Sequence, residues 1–76
     1  MNFPSRETVE RVRREYPAGT LVELVKMDDP QAPPVGTIGE VLAVDDTGSL
    51  LMRWCNGSGL NVVYGEDIVQ KVVDRR

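Results

Sequence analysis

Strand-like alternation of apolar and polar positions governs most of this chain, and it is densest from Gly36 to Gly57, GTIGEVLAVDDTGSLLMRWCNG. Thr37 to Val44 is β-branched and aliphatic, a composition that fits a pleated, half-buried surface. Asp45-Asp46-Thr47-Gly48 interrupts it with residues that bond nearby amides or take positive φ, so a turn is predicted there. Leu50 to Trp54 resumes the strand. An unpaired Arg53 is costly to bury, so Leu50, Met52 and Trp54 are expected inward, with Leu51 and Arg53 outward. Asn56-Gly57 signals a type I′ hairpin turn. Gly39, inside a strand, is read as a bend in a sharply curved sheet.

Other elements flank this hairpin. Residues 5–15 read as a short helix with Ser5 as N-cap, Glu7 near its start and Arg13 and Arg14 near its end. Glu7 with Arg11 and Glu10 with Arg14 have the spacing of stabilising pairs. Val9, Val12 and Tyr16 form a narrow apolar stripe. Pro17 and Gly19 stop the helix. Such a short helix is marginal alone in water, so the stripe must dock on the body or on a partner. Thr20 to Met27 is the first strand, with Val22 and Leu24 inward and a bulge near Val25 where the alternation slips. Asp28 to Val35 is a proline-stiffened loop. Leu60 to Tyr64 reads as a fourth strand, Gly65-Glu66-Asp67 as a turn and Ile68 to Val73 as a fifth strand. Asp74-Arg75-Arg76 is a solvated tail. No internal repeat or second domain is visible.

Five short strands separated by turn signals predict a mainly β protein. The expected fold is a small five-stranded SH3-like barrel with a short N-terminal α-helix; an OB-like barrel is the alternative, although its strands are usually longer. Residues 1–18 form the helix and linker and 19–76 the barrel, one domain in total.

Composition narrows the chemistry. Neither a run of ~18 apolar residues nor the apolar core of a signal peptide is found, so no membrane association is expected and a cytoplasmic location is assigned by default. The single cysteine, Cys55, rules out an intrachain disulfide. Net charge is −3, with +1 on residues 1–15 and −4 on the remainder. The β-rich part therefore repels a phosphate backbone on average. No histidine is present, which removes the usual proton shuttle and the commonest metal ligand.

The segments YPAGT, MDDP, PVGT, VDDTG and WCNGS resemble a family catalogued as a domain of unknown function, number forty-three fourteen, of Gram-positive bacteria, phages and mobile elements. The family pattern is Tyr-Pro-x-Gly-Thr, Met-Asp-Asp-Pro, Pro-Pro-Gly-Thr, Val-Asp-Asp-x-Gly and Trp-Asp-Asn-Gly-Ser. It falls here on Tyr16 to Thr20, Met27 to Pro30, Pro34 to Thr37, Val44 to Gly48 and Trp54 to Ser58. The resemblance covers roughly residues 16–73, and the Met-Asp-Asp-Pro loop is its most specific part. Cys55 departs from the pattern, standing where the family has Asp. No activity is implied.

Asp28 and Asp29, beside a rigid loop, suit docking of a basic peptide, although Asp before Pro also starts an ordinary turn. With Pro33 and Tyr64 they are the expected binding residues. Pro30, Pro33 and Pro34 give a PxxP spacing, which more often stiffens a loop than serves as a ligand. Trp54 has core parity. Cys55 lacks a base to activate it. No acid–base pair, phosphate loop or ligand cluster is present, so neither catalysis, a cofactor nor a metal is expected. The predicted function is a non-catalytic adaptor module for a protein partner in a bacterial or mobile-element setting. Two alternatives are a nucleic-acid accessory domain using Arg6, Arg11, Arg13, Arg14 and Lys26, and a structural homodimer through the helix stripe.

Overall fold

The structure, a computed structural model, describes residues 4–72. Val73 and the Asp74-Arg75-Arg76 tail lie outside the described residues. The elements are α1 (Arg6–Glu15), β1 (Leu21–Lys26), β2 (Ile38–Val44), β3 (Leu50–Trp54) and β4 (Ile68–Lys71). The strands form one antiparallel sheet in the order β3-β2-β1-β4, so β3 and β4 are its edges.

Helix α1 forms for the reasons its sequence supplies. The Ser5 hydroxyl accepts from Thr8 N–H at 3.1 Å, and Tyr16 N–H closes the last turn on the Val12 carbonyl at 2.8 Å. Val9 and Val12 are buried and Tyr16 packs against the core, so the stripe docks on the body of the chain. The expected pairs Glu7–Arg11 and Glu10–Arg14 do not close. Arg13 instead crosses to the β2–β3 turn, donating to the Val44 carbonyl at 3.2 Å and the Asp46 carboxylate at 3.0 Å.

The strand pairing exposes an internal repeat that the residue pattern conceals. Residues 17–25, PAGTLVELV, and 34–42, PVGTIGEVL, agree at Pro, Gly, Thr and Glu. Each begins with the same turn. Thr20 donates from N–H and hydroxyl to the Pro17 carbonyl at 3.0 and 2.6 Å, with Gly19 at φ +94°. Thr37 does likewise to Pro34 at 3.0 and 2.6 Å, with Gly36 at φ +94°. Positive φ at the third position defines a type II turn, which glycine fills without a Cβ penalty. The two copies face each other antiparallel. Gly19 N–H reaches the Val41 carbonyl at 2.8 Å, and Gly36 N–H reaches Leu24 at 2.8 Å. An approximate two-fold axis thus runs through the Val22–Gly39 pair. It extends outward: β1–β4 slips register between Leu24 and Lys26, and β2–β3 slips at the equivalent step between Val41 and Ala43. The bulge near Val25 is therefore present, and Leu42 is its counterpart. On the outer face Glu23 pairs with Gln70 and Glu40 with Arg53 in equivalent positions.

The core lies on the inner face. Val22, Leu24, Leu50, Met52 and Trp54 are buried, as the alternation predicts, and Val41 of β2 joins them. Gly39 has a packing role. The register slip falls two residues later, and what Gly39 provides is space, because a Cβ there would lie 2.5 Å from Trp54 Cε3 and 2.9 Å from Met52 Cε. The glycine lets the indole lie against the strand backbone.

Two further expectations are corrected. Residues 60–64 are not a strand but a single bridge, Leu50 to Val62. Its neighbours are satisfied by side chains rather than a ladder. Met52 N–H donates to Asn61 Oδ1 at 3.2 Å, Val63 N–H donates to Asp67 Oδ2 at 2.8 Å, and the Leu60 carbonyl accepts from Trp54 Nε1 at 2.7 Å. Side-chain groups of this kind compete with ladder formation. The described residues therefore hold four strands rather than five. The Asn56-Gly57 turn is also not type I′, since Asn56, like every described non-glycine residue, lacks a positive φ. Gly57 N–H reaches the Trp54 carbonyl at 3.0 Å and Trp54 N–H reaches Ser58 at 3.0 Å. With Gly57 at φ +92° this is a type I turn followed by a G1 bulge. The Asp45–Ser49 turn has the same form, with Gly48 at φ +80°.

Replacing Gly39 by Ala forces a methyl group into the Trp54 ring. Urea unfolding should show a loss of about 1–3 kcal/mol, the usual cost of overpacking, and the near-ultraviolet signal of Trp54 should change with it. An unchanged midpoint would refute the packing role.

Candidate functional site

Two depressions flank the segment from Leu60 to Asp67. The larger, about 620 Å³, is lined by Lys26, Met27, Asp28, Asp29, Leu60, Asn61, Val63, Gly65, Glu66 and Asp67. The smaller, about 230 Å³, lies between α1 and the end of the sheet, among Val12, Tyr16, Leu50, Val62, Tyr64, Ile68 and Val69. Gly65 and Asp67 are common to both walls.

The larger depression gathers acidic groups from two distant parts of the chain. The β1–β4 pairing carries the end of β1, and the loop after it, to the turn that precedes β4. Four carboxylates, from Asp28, Asp29, Glu66 and Asp67, line it against the single ammonium of Lys26. Two of them already serve the backbone. Asp29 Oδ1 accepts from Gln31 N–H at 2.8 Å, an Asx turn, and Asp67 Oδ2 accepts from Val63 N–H. Asp28 and Glu66 have no side-chain hydrogen bond or ion pair among the described residues. Met27, Leu60 and Val63 add an apolar floor, and Val63 is itself exposed. The arrangement suits a cationic group carried on an apolar stem, the form of a lysine or arginine side chain.

The predicted site residues divide accordingly. Asp28 and Asp29 are exposed and share the acidic depression. Tyr64 is exposed too but faces the apolar one. Pro33 is buried and so is unable to meet a partner; it holds the loop against the body instead. Burial also takes Trp54 out of any groove, at 1% exposure. Glu66 and Asp67 were not predicted, since only the fold links their turn to the Asp28 loop. No group of three or more possible metal ligands occurs among the described residues.

The basic residues do not converge. Arg6, Arg11 and Arg14 are exposed on α1, where Arg11 and Arg14 share a depression with Glu7 and Glu10. Arg13 is bonded to the β2–β3 turn, and Lys26 lies in the acidic depression. Cys55 is exposed beside Glu40 and Arg53, and its N–H donates to the Ile38 carbonyl at 2.9 Å. The turn uses its backbone, which accommodates Cys where the pattern has Asp.

One carboxylate is strongly organised. Asp45 Oδ1 accepts from the Thr47 hydroxyl at 2.7 Å, Thr47 N–H at 2.9 Å and Ser49 N–H at 3.0 Å. These bonds favour the charged form. The Thr47 hydroxyl is the main cause holding the Asp45 carboxyl below its usual range, partial burial opposes it, and the two amides and the Arg13 charge assist. The same turn anchors α1 through Arg13, so Asp45 supports the helix dock indirectly.

The family described as a Domain of unknown function (DUF4314) matches residues 5–72, nearly the whole chain. No curated protein and no solved structure matches. No described helix is long and apolar enough to cross a membrane.

Because folding lowers the Asp45 pKa, its stabilisation is complete above the unfolded value of about 4 and is lost as pH falls through the folded value. Asp45→Ala should cost on the order of 1 kcal/mol at neutral pH, the low end for charged acceptors at a partly solvated site. The deficit measured by urea unfolding should shrink as the pH is brought below that range. A deficit independent of pH would contradict the assignment.

Proposed function

We propose that this chain, which belongs to the DUF4314 family, is a non-catalytic binding module that docks a basic protein segment in the groove between the Asp28–Asp29 loop and the Glu66–Asp67 turn. The supporting observation is that groove itself: four carboxylates against one ammonium over an apolar floor of Met27, Leu60 and Val63. Electrostatic complementarity of this kind speeds encounter and rejects acidic partners. The apolar floor adds the buried contact that gives a peptide its residence.

An SH3-like barrel is the framework we infer. Its supports are the sheet order β4-β1-β2-β3, the segment 60–64 bridged to the far side of β3, and the tight turn leading from that segment into β4. Strands of four to seven residues favour it over an OB-like barrel. The resemblance noted from the sequence motifs supports a bacterial or mobile-element setting, and a cytoplasmic location is kept as the default reading. A nucleic-acid role draws less support, because the exposed arginines of α1 alternate with Glu7 and Glu10 and lie apart from Lys26.

The decisive experiment is a tagged pull-down from native cell lysate, with and without nuclease, comparing the wild type with an Asp28→Lys/Asp29→Lys double variant. Both side chains are exposed, and because Asp29→Lys gives up the Asx bond to Gln31, the near-ultraviolet signal of Trp54 is used to verify the fold of the variant. The expected outcome is a protein partner that persists after nuclease and is recovered at least tenfold less by the variant. An unchanged partner set would discard the groove, and recovery that collapses with nuclease would transfer the function to the arginines of α1.

A further inference from the structure

We propose that β4 is the seat of a two-fold dimer, in which its free edge pairs antiparallel with β4 of a second copy to make a continuous sheet. The two edges of the sheet are treated differently. The edge of β3 is capped, because Leu50 exchanges both backbone bonds with Val62 at 2.9 and 3.0 Å, and Met52 N–H is met by Asn61. Under the approximate two-fold axis the equivalent edge is that of β4, and no described residue caps it.

Register identifies the groups left over. Val72 N–H donates to the Leu21 carbonyl, and Gln70 stands opposite Glu23, so residues 70 and 72 turn their backbone groups toward β1. Alternation then points the N–H and carbonyl groups of Val69 and Lys71 away from the sheet. Two usual defences of an edge strand, charge and proline, are missing from its outer face. That face presents Ile68 (50% exposed), Gln70 and Val72 (43%), with neither a charge nor a proline. The charge of Lys71 is directed to the inner face, 3.9 Å from Glu15 and over the Tyr16 ring.

The edge is complementary to itself, which is what selects a second copy as its occupant. Centring the pairing on Gln70 sets Val69 opposite Lys71 of the second copy, and the reverse. Both outward-facing residues then exchange their two backbone bonds. Ile68 meets Val72 of the second copy twice on the outer face, and Gln70 meets its own equivalent. Within residues 68–72 no like charges oppose one another. The contact is isologous and closes after two copies. It is small and therefore weak. It involves neither Asp28 nor Asp29, so it stands apart from the groove proposed above.

Sedimentation equilibrium of the intact chain from low micromolar to millimolar concentration tests this. The wild type should approach twice the monomer mass as concentration rises. Val69→Pro removes an outward N–H, which an edge strand tolerates, and should leave a monomer. Gln70→Lys places like charges face to face across the axis while keeping a donor for Glu23, and should raise the dissociation constant at least tenfold. The near-ultraviolet signal of Trp54 reports folding in each. A wild type that stays monomeric at millimolar concentration overturns the proposal. So does a dimer that survives whichever variant remains folded.

Discussion

The contact between Trp54 and Gly39 sets the terms for the rest of the molecule. The largest fully buried side chain lies against the one strand residue that offers no side chain of its own. Its ring is part of the core, and its Nε1–H reaches out to the Leu60 carbonyl. One residue therefore joins the sheet to the segment that follows it. A small domain buries only a modest share of its surface, so a single well-placed aromatic carries a large part of the core. Without the glycine the indole would have to leave the sheet, and Leu60 would lose the bond that holds its carbonyl.

The same pair explains why the internal repeat is imperfect. The two copies agree in their turns, outer glutamates and register slips. They part at the axis, where Val22 faces Lys71 and Gly39 faces Trp54. A strictly symmetric ribbon would place equal side chains there and leave no room for a large ring. Asymmetry at that position creates a core on one flank, while the other flank has Lys71 with the end of α1 laid against it. The acidic groove follows from the β1–β4 flank, since that pairing brings the Asp28 loop to the Glu66 turn.

Local rules were legible in the residues, and long-range consequences were not. Ser5, Pro17 and the Val9–Val12–Tyr16 stripe determine α1 within a few residues of one another, and the structure follows them. Leu50 to Trp54 forms a strand with the predicted faces because its alternation has one solution that keeps Arg53 wet. Leu60 to Tyr64 has strand composition, yet Asn61 and Asp67 supply side-chain acceptors that replace the ladder, a choice that composition does not reveal. Asn56-Gly57 fits two turn geometries that differ by one loop residue, and the register of Trp54 with Ser58 decides between them. Pro33 looked like a presented residue because burial of a loop depends on the body beneath it. Glu66 and Asp67 were read only as a turn, because their neighbours in space are almost forty positions away along the chain. The repeat eluded the residue pattern because only four of its nine positions are identical, and pairing is what shows the rest to be equivalent.

Sequence separation along the two-fold ribbon has a kinetic corollary. Joining β2 to β3 closes a loop of a few residues through a turn organised by Asp45, whereas the bond between Glu23 and Gln70 spans 47 positions. Loop-closure entropy rises with the logarithm of separation, and non-local pairings form slowly. The meander through β3 is thus the natural nucleus, and β4 is the last strand to arrive. Until it does, β1 presents an unpaired edge, and β4 from a neighbouring chain fits that edge as well as the chain's own. Refolding at high concentration accordingly carries an inherent route to strand exchange.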